Sequence, residues 1–134
     1  MSFDKEIRNM LARTVVSCRW KLTEDIMDQL RSVYGLHPDG TQLPLDQLAH
    51  LTRDQLSTAR VLRELLEHYA TVAAGSERER KCAAYERVVL EISFTVLNRL
   101  AALRLCEERG LVIECVRKGA ASDGFRLLER VSGG

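Results

Sequence analysis

The stretch Ser76–Gly110, SERERKCAAYERVVLEISFTVLNRLAALRLCEERG, decides the fold. It opens on Ser76-Glu77-Arg78-Glu79, a hydroxyl and a carboxylate three residues apart, the spacing of a capping box at a helix start. It closes on Gly110, a residue suited to the left-handed conformation that ends helices. No Pro or Gly interrupts the residues between, so one long helix is predicted. From Val88 onward, Val88, Val89, Leu90, Ile92, Phe94, Val96, Leu97, Leu100, Leu103 and Leu105 occupy most of its sides. A helix apolar nearly all round is expected to be central and buried. Glu91, Asn98, Arg99 and Arg104 interrupt the apolar run and argue against a membrane span. Glu91, Thr95 and Asn98 fall on one narrow face, and polar groups on a buried helix need partners.

Upstream, Phe3 to about Tyr34 repeats apolar residues at three- and four-residue steps. These are Ile7, Leu11, Val15, Cys18, Leu22, Ile26, Leu30 and Val33, and they predict a helix with one broad apolar stripe ending near Gly35. Pro38-Asp39-Gly40 has strong turn chemistry, and Leu43, Leu45, Leu48 and Leu51 suggest a connector packed down by leucines, with one helical turn from Leu45. Thr52-Arg53-Asp54-Gln55 is a second capping box. The helix it opens buries Leu56, Ala59, Leu62, Leu66, Tyr69 and Ala73, with Arg60/Glu64 and Arg63/Glu67 paired weakly near its solvent face. Downstream, Leu111–Val116 reads as a short extended piece, either an edge strand or an ordered loop. Ser122 or Asp123 then caps a short last helix. The expected fold is all-α. It is a bundle of about three long helices plus short ones, forming a single helical domain over residues 1–134.

The composition supports a core and narrows the function. Of 134 residues, 46% are hydrophobic and 29% charged, which excludes wholesale disorder. Lys and Arg number 20 against 19 Asp and Glu, so the overall balance fits neither a strongly basic DNA coat nor an acidic DNA mimic. Cys18, Cys82, Cys106 and Cys115 form no C-x-x-C pair, and His37, His50 and His68 do not flank them at metal-ligand spacing. Reduced core thiols are expected, with no metal site. The start of the chain has no basic region followed by an apolar run, so no secretory leader is expected and the location reads as cytoplasmic.

Catalytic constellations are missing from the pattern. There is no H-E-x-x-H, G-x-S-x-G, Walker loop or G-x-G-x-x-G. Glu24/Asp25 and Glu107/Glu108 are adjacent on helices and do not face one another, which makes poor acid–base pairs. No catalytic, cofactor-binding or metal residue is assigned. Arg8, Arg13, Arg19 and Lys21 enrich the first helix, and Arg117 and Lys118 follow the long one; these are candidate DNA phosphate contacts, although they form no clean stripe. Trp20 and Met27 project away from the main stripe of the first helix and are candidate interface residues.

Within the long helix, Phe94, Asn98, Arg99, Leu100, Ala102, Leu103, Arg104, Glu107 and Gly110 make a recognisable phrase. It resembles the N-terminal helical region of large bacterial adenine-specific DNA methyltransferases. These are the PglX-like enzymes of BREX phage defence and related restriction-modification and DISARM-type methylases. The family phrase runs aromatic-x-x-Asn-Arg-Leu-x-Ala-Leu-Arg, then an acidic residue and a Gly; here the step from Phe94 to Asn98 is one residue wider. The likeness is specific over about twenty residues and general over the other helices.

That resemblance implies a parent enzyme transferring a methyl group from S-adenosylmethionine to the N6 amine of adenine in DNA. The family's Asn/Asp-Pro-Pro-Tyr/Phe motif is not found around Pro38 or Pro44, so the implied role here is a non-catalytic N-terminal scaffold or interaction domain. S-Adenosylmethionine would belong to the parent enzyme and not to this stretch. Asn98 and Arg99 are then expected to form a buried polar clamp, with Arg104 and Glu107 members of the same structural motif. The expected partner is the methyltransferase domain of the parent or a partner subunit, with DNA a further candidate and no membrane. The alternatives from residues alone are a stand-alone helical interaction module and a small auxiliary DNA-binding protein.

Overall fold

The computed structural model describes residues 4–132. The fold is all-α, with four α-helices: α1 (Lys5–Ser32), α2 (Arg53–Val72), α3 (Glu77–Glu108) and α4 (Asp123–Ser132). Short 3-10 turns occur at Leu45–Gln47 and Gly119–Ala121. Among the described residues there is no strand, only a single antiparallel bridge between Leu36 and Gln42. None of the helices is long and apolar enough to cross a membrane. Phe3, Gly133 and Gly134 lie outside the described residues. The chain divides into two compact units, Met1–Phe94 and Thr95–Gly134, and the division falls within α3.

In the first unit, α1, α2 and the front of α3 share one apolar cluster. Leu30, Leu36, Leu62, Leu66, Ala84, Tyr85, Val88 and Val89 are its buried members. Both capping boxes form as the spacing predicts. The Gln55 amide donates to Thr52 Oγ1 at 3.2 Å, and the Thr52 amide to Gln55 Oε1 at 3.0 Å. The Ser76 amide donates to Glu79 Oε2 at 2.7 Å, and the Glu79 amide to Ser76 Oγ at 3.3 Å. Each box satisfies amides that a helix start leaves without carbonyl partners. Gly35 sits at φ +64°, and the Leu36 amide reaches back to the Leu30 carbonyl at 2.8 Å, so α1 ends in a left-handed cap. That cap drops Leu36 into the core.

Arg63 departs from the expected weak pairing with Glu67. Its guanidinium turns to the connector and donates to the Leu43 carbonyl at 2.6 Å, the Tyr34 carbonyl at 3.3 Å and Gln42 Oε1 at 3.3 Å. A forked donor meets three loop acceptors there, a better exchange than one exposed ion pair. His50 fixes the connector's far end through a ring nitrogen 2.8 Å from the Val33 carbonyl.

In the second unit, residues 111–116 run as an ordered loop. The Cys115 and Val116 amides are taken up by the Glu107 carboxylate, and the Leu111 amide by the Cys106 carbonyl at 2.9 Å. Ser122 is the cap of α4: its Oγ accepts from the Phe125 amide at 3.3 Å and donates to the Cys115 carbonyl at 3.2 Å. Ser122 is fully buried.

The expectation of a buried α3 needs correction. Burial along it is confined to Ala84, Tyr85, Val88, Val89 and Ser93. Leu90, Phe94, Leu100, Leu103 and Leu105 are exposed. Apolar composition on all sides shows that cover is wanted; it does not show that this chain supplies the cover.

Candidate interaction surface

The surface is built from two helices of the first unit. Val16, Arg19, Trp20 and Thr23 of α1 face Leu90, Ser93 and Phe94 of α3 across an open groove of about 300 Å³. Steps of three and four residues bring each set to one side of its helix. The floor is polar but satisfied. Ser93 Oγ donates to the Val89 carbonyl at 2.8 Å and lies 3.3 Å from Thr23 Oγ1. The walls are apolar and bare: Trp20 is 67% exposed and Phe94 64%. Two large aromatic side chains held in water on either side of a formed floor are a typical anchor arrangement for a protein partner.

Met27 does not share this surface with Trp20, as the sequence suggests it would. Two turns further along the same side of α1, it packs against the buried cluster and is not among the groove's lining residues. Glu91, one of the polar residues on α3, is partnered inside the unit. Tyr69 donates its hydroxyl to Glu91 Oε2 at 2.5 Å, and Arg87 lies 4.1 Å above the Tyr69 ring while donating to Glu91 Oε1 at 3.3 Å. The tyrosine hydroxyl and Arg87 hold the Glu91 carboxyl below its ordinary range, even though burial pulls the other way.

The methyltransferase-like phrase resolves into parts. Asn98 and Arg99 are exposed, and neither makes a side-chain hydrogen bond or ion pair among the described residues. Arg104 pairs with Glu108 at 2.6 Å and lies 3.8 Å from Glu107. The buried polar group of the phrase is Glu107, and not Asn98 or Arg99. Its buried carboxylate accepts the amides of Cys115 and Val116 on Oε1, and that of Arg117 on Oε2 at 3.2 Å. Burial alone would raise its pKa, but the three amides outweigh it and bring the group down to about 2. The same carboxylate holds the Cys115 thiol above its usual range, which leaves that sulfur a poor nucleophile. Cys18 is exposed, not a core thiol, and all four cysteines are free.

The six candidate DNA contacts are all exposed. Arg8, Arg13, Arg19 and Lys21 are spread around α1, and Arg117 and Lys118 belong to the other unit. Lys118 is 3.5 Å from Glu114. A second concavity, of about 520 Å³, lies in the first unit between the 36–42 loop and residues such as Arg63, Lys81 and Tyr85. The Tyr85 hydroxyl and Arg63 Nε have no partner among the described residues, but both atoms are shut off from solvent, so they present nothing to a ligand there. The described residues hold no cluster of three metal-ligating side chains.

No protein-family model, curated protein or solved structure matches the chain.

Proposed function

We propose that this chain is a non-catalytic docking domain of the kind that fronts S-adenosylmethionine-dependent N6-adenine DNA methyltransferases in phage defence or restriction-modification. In this reading it scaffolds the methyltransferase domain, carried on the same polypeptide or on a partner subunit. The observation that carries the docking role is the Trp20–Phe94 groove, whose polar floor is satisfied while its aromatic walls are left in water. The choice of partner rests on the resemblance of the Phe94–Gly110 phrase. Glu107 and Arg104 would serve to order the loop carrying Arg117 and Lys118, and exposed Asn98 and Arg99 would be free to meet the partner.

Trp20 is the sole tryptophan, so its emission reports on the groove. The test adds the catalytic portion of a PglX-like methyltransferase, expressed without its own N-terminal region. Docking shifts Trp20 emission to the blue, and Phe94→Ala weakens the association at least tenfold, as expected for a hot-spot aromatic. No shift at micromolar concentrations of both proteins removes the methyltransferase as partner.

The stand-alone interaction module is the second reading, favoured by one specific observation: α1 exposes further apolar residues, Ile7, Leu11 and Val15, that the groove does not use.

A further inference from the structure

Those unused residues point to a second apolar stripe on α1, on a different side of the helix from the aromatic wall of the groove. At about 100° per residue, Ile7, Leu11, Thr14 and Cys18 fall within roughly 60° of one another on α1, with Val15 beside them. Val16, Trp20 and Thr23, which line the groove, lie on nearly the opposite side of the helix. Every residue from Asp4 to Lys21 is exposed, so none of the described residues of the first unit covers this stripe. Thr14 adds no unmet polarity, because its hydroxyl donates to the Met10 carbonyl at 2.9 Å within its own helix.

We infer that this stripe pairs with the same stripe of a second copy, antiparallel, about a twofold axis passing between Ala12 and Arg13. The spacing 7, 11, 14, 18 is symmetric about that point. Ile7 then meets Cys18 of the second copy, and Leu11 meets its Thr14, so each half of the contact repeats the other as a twofold interface requires. Charge selects the direction. Asp4 flanks the stripe on the same side as Arg19, and Glu6 on the same side as Lys21. Antiparallel pairing brings Asp4 toward Arg19 of the second copy and Glu6 toward its Lys21. Parallel pairing would instead bring Lys21 toward Arg19 of the second copy and Asp4 toward its Glu6, like charges at both ends of the stripe that oppose association. The bare half of α1, residues 4–21, carries five basic and two acidic side chains, and only the antiparallel register places both acids against bases. The contact is one helix face long, which belongs to the weak class of interfaces, with dissociation expected in the micromolar range.

The test uses the full chain. Sedimentation over roughly 1–500 µM follows a monomer–dimer equilibrium, and Leu11→Glu raises the dissociation constant at least tenfold. Asp4→Lys with Glu6→Lys weakens the dimer, and adding Arg19→Glu with Lys21→Glu restores it, a rescue that general stickiness would not give. Ile7→Cys, treated with diamide as oxidant, yields a covalent dimer in which peptide mapping joins position 7 to Cys18. A chain that stays monomeric throughout the range, or that bridges Cys18 only to Cys18, overturns the inference. Loss of the dimer in Leu11→Glu with an intact Trp20 response to methyltransferase would leave the docking role standing, since Leu11 does not line the groove; Arg19, which does, is altered only in the charge rescue.

Discussion

At Glu107 a single carboxylate holds three consecutive amides, of Cys115, Val116 and Arg117. Its pKa in the fold is about 2, below the ordinary glutamate value of roughly 4.3. A lowered carboxylate contributes stability above its unfolded pKa and loses it as pH falls through the folded one. The 111–118 loop should therefore stay ordered at pH 6 and come loose between about pH 4 and 2. Amide exchange at residues 115–117 is the direct readout. Glu107→Ala should remove their protection at neutral pH while leaving the Val88 and Val89 amides protected. Arg63 makes the corresponding prediction in the first unit. Arg63→Ala strands the Leu43 and Tyr34 carbonyls and should cost about 2 kcal/mol in thermal or denaturant unfolding. Sequence reading placed Arg63 on the solvent face with Glu67. Its three acceptors come from a loop 20 and more residues away, and helical spacing carries no information about them. Glu107 could be singled out through the methyltransferase-like phrase, whereas its partners, three loop amides, bear no side-chain signature.

Helix boundaries were legible because their causes are local. Thr52 with Gln55 and Ser76 with Glu79 mark starts by chemistry contained within four residues, and Gly35 marks a stop by its tolerance of positive φ. Thr52→Ala should cost about 1 kcal/mol of stability, measured by denaturant unfolding, because it leaves the Gln55 amide without its cap. Burial was less legible. The periodic stripe of α1 is covered near Ile26 and Leu30 and bare at Ile7, Leu11 and Val15. Periodicity shows which face wants cover and does not identify its source. The same holds for Leu100, Leu103 and Leu105 on α3. Native-state exchange should show this gradient within one helix: in the isolated chain, amides of residues 8–20 exchange faster than those around Leu30, or around Leu62 and Leu66 in α2. Equal protection along α1 at low concentration would mean that the first half has cover this structure does not contain.

For the molecule as a whole, the main apolar cluster lies in the first unit, and Trp20 and Phe94, the most exposed aromatics among the described residues, stand over one groove of that unit. The fold satisfies the buried hydroxyls of Ser93 and Ser122 and leaves Trp20 and Phe94 in water over one groove, where a partner can use them, while further apolar side chains such as Leu11, Leu105 and Leu111 are exposed elsewhere. Trp20 stood out in the sequence because it sits off the main stripe. Phe94 did so only as part of a phrase, since within an apolar helix it looked like core. The most direct measurement is Trp20 fluorescence during titration with the catalytic portion of a PglX-like methyltransferase. A saturable blue shift is expected, which Phe94→Ala weakens at least tenfold and Leu11→Glu, on the other face of α1, leaves unchanged. An emission maximum that stays at its solvent-exposed position throughout the titration would contradict it.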